Sequence, residues 1–409
     1  MNAPRAPLKP LDEALDQLLA RARPLQGTEQ VSTFDADTRV LAEDLVSALQ
    51  VPPQDNSAMD GYAVRSAEIA DEGVVLPVSQ RIPAGSAAQP LQPGTAARIF
   101  TGAPVPTGAD AIVMQEETEA AGEGTVRIQR VPDVGQWIRR SGEDVTRGAV
   151  VLARGERLSP ASLGLAAGIG RDTLAVARRP KVALFSTGDE LVMPGAVPPG
   201  QMKPGAIYNS NRFFLRALLQ RLGCEVTDLG IVPDRREATV DALRDAARGH
   251  DLILTSGGVS VGEEDHVKPA VQQLGSLDLW QIAMKPGKPF AYGTVGEAHF
   301  IGLPGNPVSS FVTFVLLVRP FLLKLQGASA LAPAAMQLPA HFDWPLADKR
   351  REFLRVRRNA EGGLELFANQ SSGVLTSAVW GDGLVDNPAG TTIARGDMVR
   401  FIALAELLA

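Results

Sequence analysis

Sulfur and imidazole are scarce in this 409-residue chain, which has one cysteine, Cys224, and four histidines. A single thiol excludes an intrachain disulfide and any cysteine-rich zinc site. No two histidines have a metal-ligand spacing, so a bound metal is expected to be a hard cation such as Mg²⁺, held by carboxylates and a substrate's phosphates. Cys224 lies between a helix end and a strand and reads as a small buried hydrophobe. There is no long block of Lys or Arg, and the net charge is −6. That balance argues against sequence-independent nucleic-acid binding. It leaves room for an anionic small ligand, which needs only a few local cations and backbone N–H donors. No apolar run has the length to span a bilayer, and Met1–Pro10 lacks the basic-then-apolar pattern of a secretory signal. No membrane contact and a cytoplasmic location are expected.

The length exceeds what one hydrophobic core organises, so about two to four domains are expected. Leu11, Leu15, Leu18 and Leu19 share one face of a helix over 11–23. From Pro52 to about Val151 short apolar runs broken by Gly and Pro predict a β-rich unit, with strands at 74–76, 111–114 and 126–128. A small-residue helix follows at 161–170. Beyond Pro180, strands at 181–185, 226–232 and 251–255 alternate with helices at 211–222 and 235–248, the latter with Val240, Leu243 and Ala247 inward. Strands at 290–292 and 300–301 precede a long apolar helix from Pro307 to about Leu323. This alternation predicts a multidomain α/β chain with a central doubly wound α/β domain. The expected boundaries are 1–178 for a split N-terminal region with a β-rich insert at about 50–145, 179–326 for the central domain, and 327–409 for a small β-barrel.

Ligands of open α/β sheets bind at the carboxyl ends of strands, and the unusual loops fall there. Ser186-Thr187-Gly188-Asp189-Glu190 follows one strand. Ser256-Gly257-Gly258-Val259-Ser260-Val261-Gly262, with Glu263, Glu264 and Asp265, follows another. Leu303-Pro304-Gly305-Asn306-Pro307 precedes the long helix. The paired glycines are either a plain turn or an anion nest of consecutive N–H groups. Gly305 reads as permitting an unusual dihedral and Pro307 as a first-turn residue. Lys285 and Lys288 stand in a stiff Lys-Pro-Gly-Lys-Pro frame and are either solvated or ligand-bound. Glu190, Asp234 and Asp265 are either helix caps, with Asp234 a candidate N-cap, or carboxylates for Mg²⁺ beside a pyrophosphate. In the β-rich unit, polar residues crowd both sides of Met59, and Asp60-Gly61 is by itself a hairpin-turn signal.

Together these segments resemble the MoeA family and the corresponding domain of gephyrin. The resemblance rests on Ser57-Ala-Met59-Asp60-Gly61-Tyr-Ala63, Thr101-Gly-Ala103, Gly142-Glu-Asp144, Ser186–Glu190, Ser256–Gly262 with Asp265, Lys285–Phe290 and Gly302–Ser309, in family order. The C-terminal region matches more loosely, through Gln370–Gly373. It implies a molybdopterin molybdenumtransferase that inserts molybdenum from molybdate into adenylylated molybdopterin with release of AMP. It also implies Mg²⁺, a V-shaped homodimer, and a site between the central domain of one subunit and the N-terminal region of the other. Contacts with a molybdopterin adenylyltransferase and with maturation factors of apo-molybdoenzymes follow from the same resemblance. The catalytic positions it implies are Asp60, Thr101, Asp144, Glu190, Asp234 and Asp265, with Asp60, Asp265 and Glu190 toward the metal. Implied substrate contacts are Ser57, Met59, Gly61, Thr187, Gly188, Ser210, Asn211, Ser256, Gly257, Gly258, Ser260, Lys285, Lys288, Pro304, Gly305, Asn306 and Pro307. Two departures stand out: Asn209 replaces an Asp carried by many members, and Glu263-Glu264 adds negative charge beside Asp265. Two rival readings are an adenylyltransferase sharing the central domain and a structural scaffold. The first lacks the Ser57–Ala63 motif, and the second goes with a further N-terminal domain.

Overall fold

The structure, a computed structural model, describes residues 8–258 and 266–408. Its centre is a six-stranded sheet. In spatial order the strands are Glu225–Val232, Lys181–Thr187, Leu252–Ser256, Ala298–Leu303, Pro289–Val295 and Gly275–Gln281. The first four run parallel, with Val182 opposite Leu252 and Leu252 opposite His299. The last two are antiparallel. Residues alternate between the two faces because successive side chains of a strand point to opposite sides. Val182, Leu184, Leu252, Leu254 and Leu303 pack beneath the Asn211–Arg221 helix and the long helix. Ala183, Phe185, Ile253 and Phe300 pack beneath the Arg236–Ala247 and Val267–Leu274 helices. Each fully buried Leu or Phe contributes about 1.5–3 kcal/mol of burial free energy.

The antiparallel strand Gly275–Gln281 was not foreseen, because Ser276, Asp278 and Gln281 interrupt it; the Val267–Leu274 helix was missed although Val267, Ala270, Val271 and Leu274 keep a helical period on its core face. Ala247 packs against the core beside Val240 and Leu243 as expected, and Ala246 is buried more fully on the same face. The helix Pro307–Leu325 is long and apolar enough to cross a bilayer, contrary to the expectation that no such run exists, and nearly all of it is buried within the protein. Between Phe314 and Val318 that helix widens to a π turn. Pro320 offers no N–H for a normal helical bond to the preceding turn, and the wider turn absorbs the mismatch.

The first helix, Leu11–Arg21, lies against this same core. Leu11, Ala14 and Leu18 join Trp280, Phe321 and Leu322 in one apolar cluster, and Lys9 exchanges backbone hydrogen bonds with the 281–283 segment. The chain then forms Thr28–Ser32, which pairs antiparallel with Thr173–Ala177, so the intervening residues are an excursion between two paired strands. Within that excursion lies a sheet in the order Ala111–Met114, Gly61–Val64, Ala96–Ile99, Val75–Ile82, Thr125–Ile128 and Thr118–Ala120. The C-terminal sheet runs Met284–Lys285, Arg351–Arg358, Gly383–Asn387, Met398–Ala403, Met336–Pro339, with Leu364–Leu366 beside Arg351–Arg358. A bridge from Ala340 to Leu364 returns this path on itself.

Close backbone approach sets some glycines. A Cβ on Gly293 would stand 2.1 Å from the Ser276 carbonyl oxygen across the antiparallel edge. Gly293→Ala is therefore expected to cost about 1–3 kcal/mol through forced strand displacement. Urea unfolding followed by circular dichroism tests this, and an unchanged midpoint would refute it.

Candidate functional site

The carboxyl ends of three parallel strands open into a cavity of about 570 Å³. Of the residues singled out in the sequence, Thr187, Gly188, Glu190, Ser210, Asn211, Asp234, Ser256, Gly257, Gly258, Pro304, Gly305, Asn306 and Pro307 line it. Sequence reasoning did not select Leu191, Ile207, Tyr208, Pro289 and Ser309, which line it too. The first three sit on a short parallel pair, Leu191–Val192 with Ile207–Tyr208, too brief to leave a periodic signal. Ser260 and Asp265, with Glu263 and Glu264, lie outside the described residues.

Asn211 joins three of these loops. Its Nδ2 donates to Ser256 Oγ and to the Gly305 carbonyl, both at 2.7 Å. The Gly257 N–H donates to the Leu303 carbonyl at 3.0 Å. That bond removes Gly257 from the anion-nest reading: its N–H already has a partner in the neighbouring loop. Both glycines are left-handed, at φ +92° and +68°. A Cβ on Gly258 would lie 2.6 Å from Val267 Cγ2 and 2.9 Å from Thr187 Oγ1, so packing as well as conformation demands glycine. Gly305, by contrast, has no left-handed φ, and a Cβ there would stand 3.9 Å from the Gly257 Cα. Its smallness leaves the loop beside Gly257 open, and the expected unusual dihedral is not observed. Gly188 is left-handed, and a Cβ there would fall 2.5–2.8 Å from the Glu190 carboxylate, which folds back over it.

Two helices begin at the cavity wall, with Ser210 and Asn306 at their N-cap positions and no side-chain cap bond at either. The N–H groups of Arg212, Phe213 and Val308 already have partners, so the helix dipoles rather than free donors reach the wall. The aligned peptide dipoles place partial positive charge there. The expected cap at Asp234 is displaced by one residue: Arg235 is the N-cap of the 236–247 helix, and Asp234 lines the cavity. Among the described lining residues Glu190 and Asp234 are the ionisable carboxylates, and none is a lysine or arginine. An anionic ligand therefore needs a cation brought in from outside this wall. Two carboxylates beside phosphate oxygens are a donor set suited to Mg²⁺, which typically takes one or two protein carboxylates and keeps its remaining positions for phosphate and water.

The lysine loop behaves differently from its two residues' shared motif. Lys285 Nζ lies 2.9 Å from Glu352 Oε1 and 3.4 Å from Asp348 Oδ2. Glu352 is buried and also accepts from Trp344 Nε1 at 2.8 Å. This lysine ties the central domain to the C-terminal sheet. Lys288 is half-buried with no carboxylate partner among the described residues, and its neighbour Pro289 reaches the cavity. Arg355, missed in the sequence, is buried without a carboxylate partner among the described residues. Burial pushes its pKa down to about 10. It donates to Ser377 Oγ, the Phe353 carbonyl and the Ser371 carbonyl. The next residue, Ser372, accepts from the Val308 N–H at 2.9 Å at the start of the long helix.

A second polar cluster forms on the inserted sheet. Asp60 Oδ1 accepts from both the N–H and the hydroxyl of Thr101 at 2.8 Å. These bonds, backbone first, hold the partly exposed Asp60 carboxyl below the usual carboxylate range, with Arg98 adding attraction. Ser57 Oγ closes a turn with Met59, donating to its carbonyl at 2.5 Å. Gly61 opens a strand rather than a hairpin turn, and a Cβ there would lie 1.9 Å from the Val113 carbonyl oxygen. Asp144 is exposed, its N–H bonded to the Val51 carbonyl. The Ala58 N–H donates to Trp137 at 2.8 Å, and Trp137 itself holds φ +55°, an uncommon strain for a bulky residue. Within one chain, Ser57, Met59, Asp60, Gly61, Thr101 and Asp144 are not among the residues lining the cavity. Cys224 is buried as expected, its thiol pushed up to about 12 by desolvation.

Residues 9–170 match the MoeA N-terminal region (domain I and II), 183–324 the probable molybdopterin binding domain, and 337–404 the MoeA C-terminal region (domain IV). A relative from Nostoc sp., named molybdopterin molybdenumtransferase, is 36% identical over 93% of this chain and 89% of its own length. The chain belongs to the MoeA family. A second MoeA relative of the same name, from Haemophilus influenzae, is 45% identical over 78% of each chain. The crystal structure of the molybdopterin biosynthesis moeA protein from Pyrococcus horikoshii aligns with a TM-score of 0.83 at 29% identity, covering 97% of this chain and all of that one. The MoeA architecture is thus a multidomain α/β one, and the cavity falls within the segment matching the molybdopterin binding domain.

Thr101→Val deletes one of the two bonds that favour the Asp60 carboxylate, and so the Asp60 pKa is expected to rise toward the ordinary value. Carboxyl ¹³C NMR titration reads this directly. No change would show that the hydroxyl contact does not form in solution.

Proposed function

We propose that the chain is a molybdopterin molybdenumtransferase, which takes adenylylated molybdopterin and molybdate, releases AMP, and leaves molybdenum on the dithiolene. The observation that carries this reading is the cavity itself. Asn211 assembles loops from three strand ends around a space that holds two carboxylates and two helix N-termini. The relatives' shared name supports the reaction.

Cleaving the phosphate anhydride adds water across a P–O bond: the water oxygen joins phosphorus, AMP departs, and a proton must be taken up. Glu190 and Asp234 are the described carboxylates placed to hold that water and accept its proton. When bound, Mg²⁺ neutralises charge on the phosphate oxygens, and Glu190 and Asp234 are the described residues suited to hold it. The helix N-termini at Ser210 and Asn306 favour the same negative charge. Molybdate, as substrate, is itself an oxyanion: its molybdenum forms bonds to the two dithiolene sulfurs, and one oxo group leaves as water carrying the two protons that the thiols give up. We also read the self-returning C-terminal sheet as a small β-barrel.

The Asp60–Thr101 cluster is absent from the cavity wall of its own chain, which supports a homodimer in which a second copy supplies it. In a C2 pair each site would then combine Glu190 and Asp234 of one copy with Asp60 of the other. Glu190→Gln and Asp60→Ala are each expected to lower AMP release by about 10²-fold or more, as for loss of a general base or a charge-positioning group. Mixing the two inactive variants under subunit exchange is expected to restore about one quarter of wild-type activity, because half the dimers are mixed and each has one intact site. Wild-type turnover by both variants would overturn the site. No recovery on mixing, with exchange shown by mass spectrometry, would overturn the shared-site arrangement.

A further inference from the structure

The cations missing from the cavity wall stand on the inserted sheet, beside the Asp60–Thr101 cluster. Arg81 lies directly opposite Arg98 in the parallel pair of Val75–Ile82 with Ala96–Ile99, and Tyr62 lies opposite Arg98 on its other side. Opposed residues share one face of a sheet, so the two like charges are neighbours. Both guanidinium groups reach the same ring: their carbons stand 4.5 Å and 4.7 Å from the centre of Phe100. Arg98 is also 5.2 Å from the centre of the Tyr62 ring, and it donates to the Gly61 carbonyl and to Gln115 Oε1. Its side chain is therefore oriented by the protein itself. Arg81 is exposed and makes no hydrogen bond or ion pair among the described residues. Arg98 likewise has no ion pair among them, since Asp60 feels its charge but takes its hydrogen bonds from Thr101. Like charges set opposite each other across a sheet cost stability. Ring contacts orient the two groups without neutralising either.

We propose that Arg81 and Arg98 form an anion fork that takes a doubly charged oxyanion beside Phe100. Planar guanidinium groups offer paired N–H donors that match the oxygens of a phosphate or of a metal oxyanion. Two sources supply that chemistry in the proposed reaction: the diphosphate bridge of the adenylylated substrate, and molybdate. The inference rests on the shared-site reading, in which the inserted sheet of one copy completes the cavity of the other. Thr101 follows Phe100 directly, so the fork enters the second copy's cavity together with Asp60. It supplies there the positive charge that the described wall lacks, since that wall holds Glu190 and Asp234 but no lysine or arginine. The fork binds and orients its anion, and no bond is made or broken by it.

Isothermal titration calorimetry of the full-length protein, with inorganic pyrophosphate and with molybdate in turn, tests the fork. Arg81→Gln removes one charge from an exposed side chain on which no hydrogen bond of the fold depends. It is expected to weaken binding of at least one anion about ten-fold, as for loss of a hydrogen-bonded charge. Arg98→Lys keeps the charge but loses the planar fork, and a several-fold loss for the same anion is expected. The anion that responds identifies the source. Arg127 is exposed and lies opposite Val75, at the other end of the strand that carries Arg81. Arg127→Gln removes the same charge far from Phe100 and is expected to leave both affinities within about two-fold. Unchanged affinity for both anions in Arg81→Gln, no measurable binding of either anion to wild type, or an equal loss in Arg127→Gln would each overturn the fork. Arg81→Gln stands by itself if Arg98→Lys fails to fold. Subunit mixing separates the two readings. Recovery on mixing with unchanged anion binding in Arg81→Gln removes the fork alone, whereas no recovery removes the shared site on which the fork's placement rests.

Discussion

The amide of Asn211 holds the cavity together. Its two 2.7 Å bonds reach the end of one strand at Ser256 and the turn before the long helix at Gly305, while the residue itself opens the Asn211–Arg221 helix. Three segments separated by tens of residues meet at this one planar group. A hydrogen bond in water is worth little, because solvent competes for both partners, but in a buried site the alternative is an unpaired donor. The loops are thereby held to one arrangement, and the helix N-termini, Glu190 and Asp234 keep their relative places.

The glycines serve the same end by a different route. Gly257 and Gly258 adopt left-handed conformations, and Gly258 also sits where Thr187 and Val267 leave no room for a Cβ. Gly188 clears space for Glu190 to fold back. The cavity is a product of backbone brought close to backbone, with side chains removed where they would fill it. Charge was then placed sparingly. The described wall holds two carboxylates and no cation, so neutralisation of a phosphate-bearing ligand falls to a metal ion, to helix ends, or to a second copy of the chain.

The lysine loop illustrates how a motif and a contact can part. Lys285 and Lys288 share one short frame, yet Lys285 spends its charge on Glu352 and Asp348 of the C-terminal sheet. Glu352 is buried, and such a charge is stable only when paired and hydrogen-bonded, here by Lys285 and Trp344. The same strand that carries Glu352 carries Arg355, whose bonds hold the Ser371 loop, and Ser372 in turn meets the long helix. The C-terminal sheet is thus linked to the central domain at two points, the lysine loop and the start of the long helix.

Local sequence determined a good deal of this. Apolar periods marked the central strands and most of their helices, since burial on both faces of a parallel sheet leaves continuous hydrophobic runs. Chemistry at strand ends marked the Thr187–Glu190, Ser256–Gly258 and Pro304–Pro307 loops, because ligands of such sheets collect there. The polar strand Gly275–Gln281 and the two-residue strands at Leu191 and Ile207 left no period to read. Tertiary structure alone decided that Asp234 lines the cavity instead of capping its helix, that Gly257 spends its N–H on Leu303, and that the first helix packs into the central core. Each of those outcomes depends on a partner remote in the chain. A residue's spacing records what its own segment can form, whereas the atom that meets its polar group is supplied by folding.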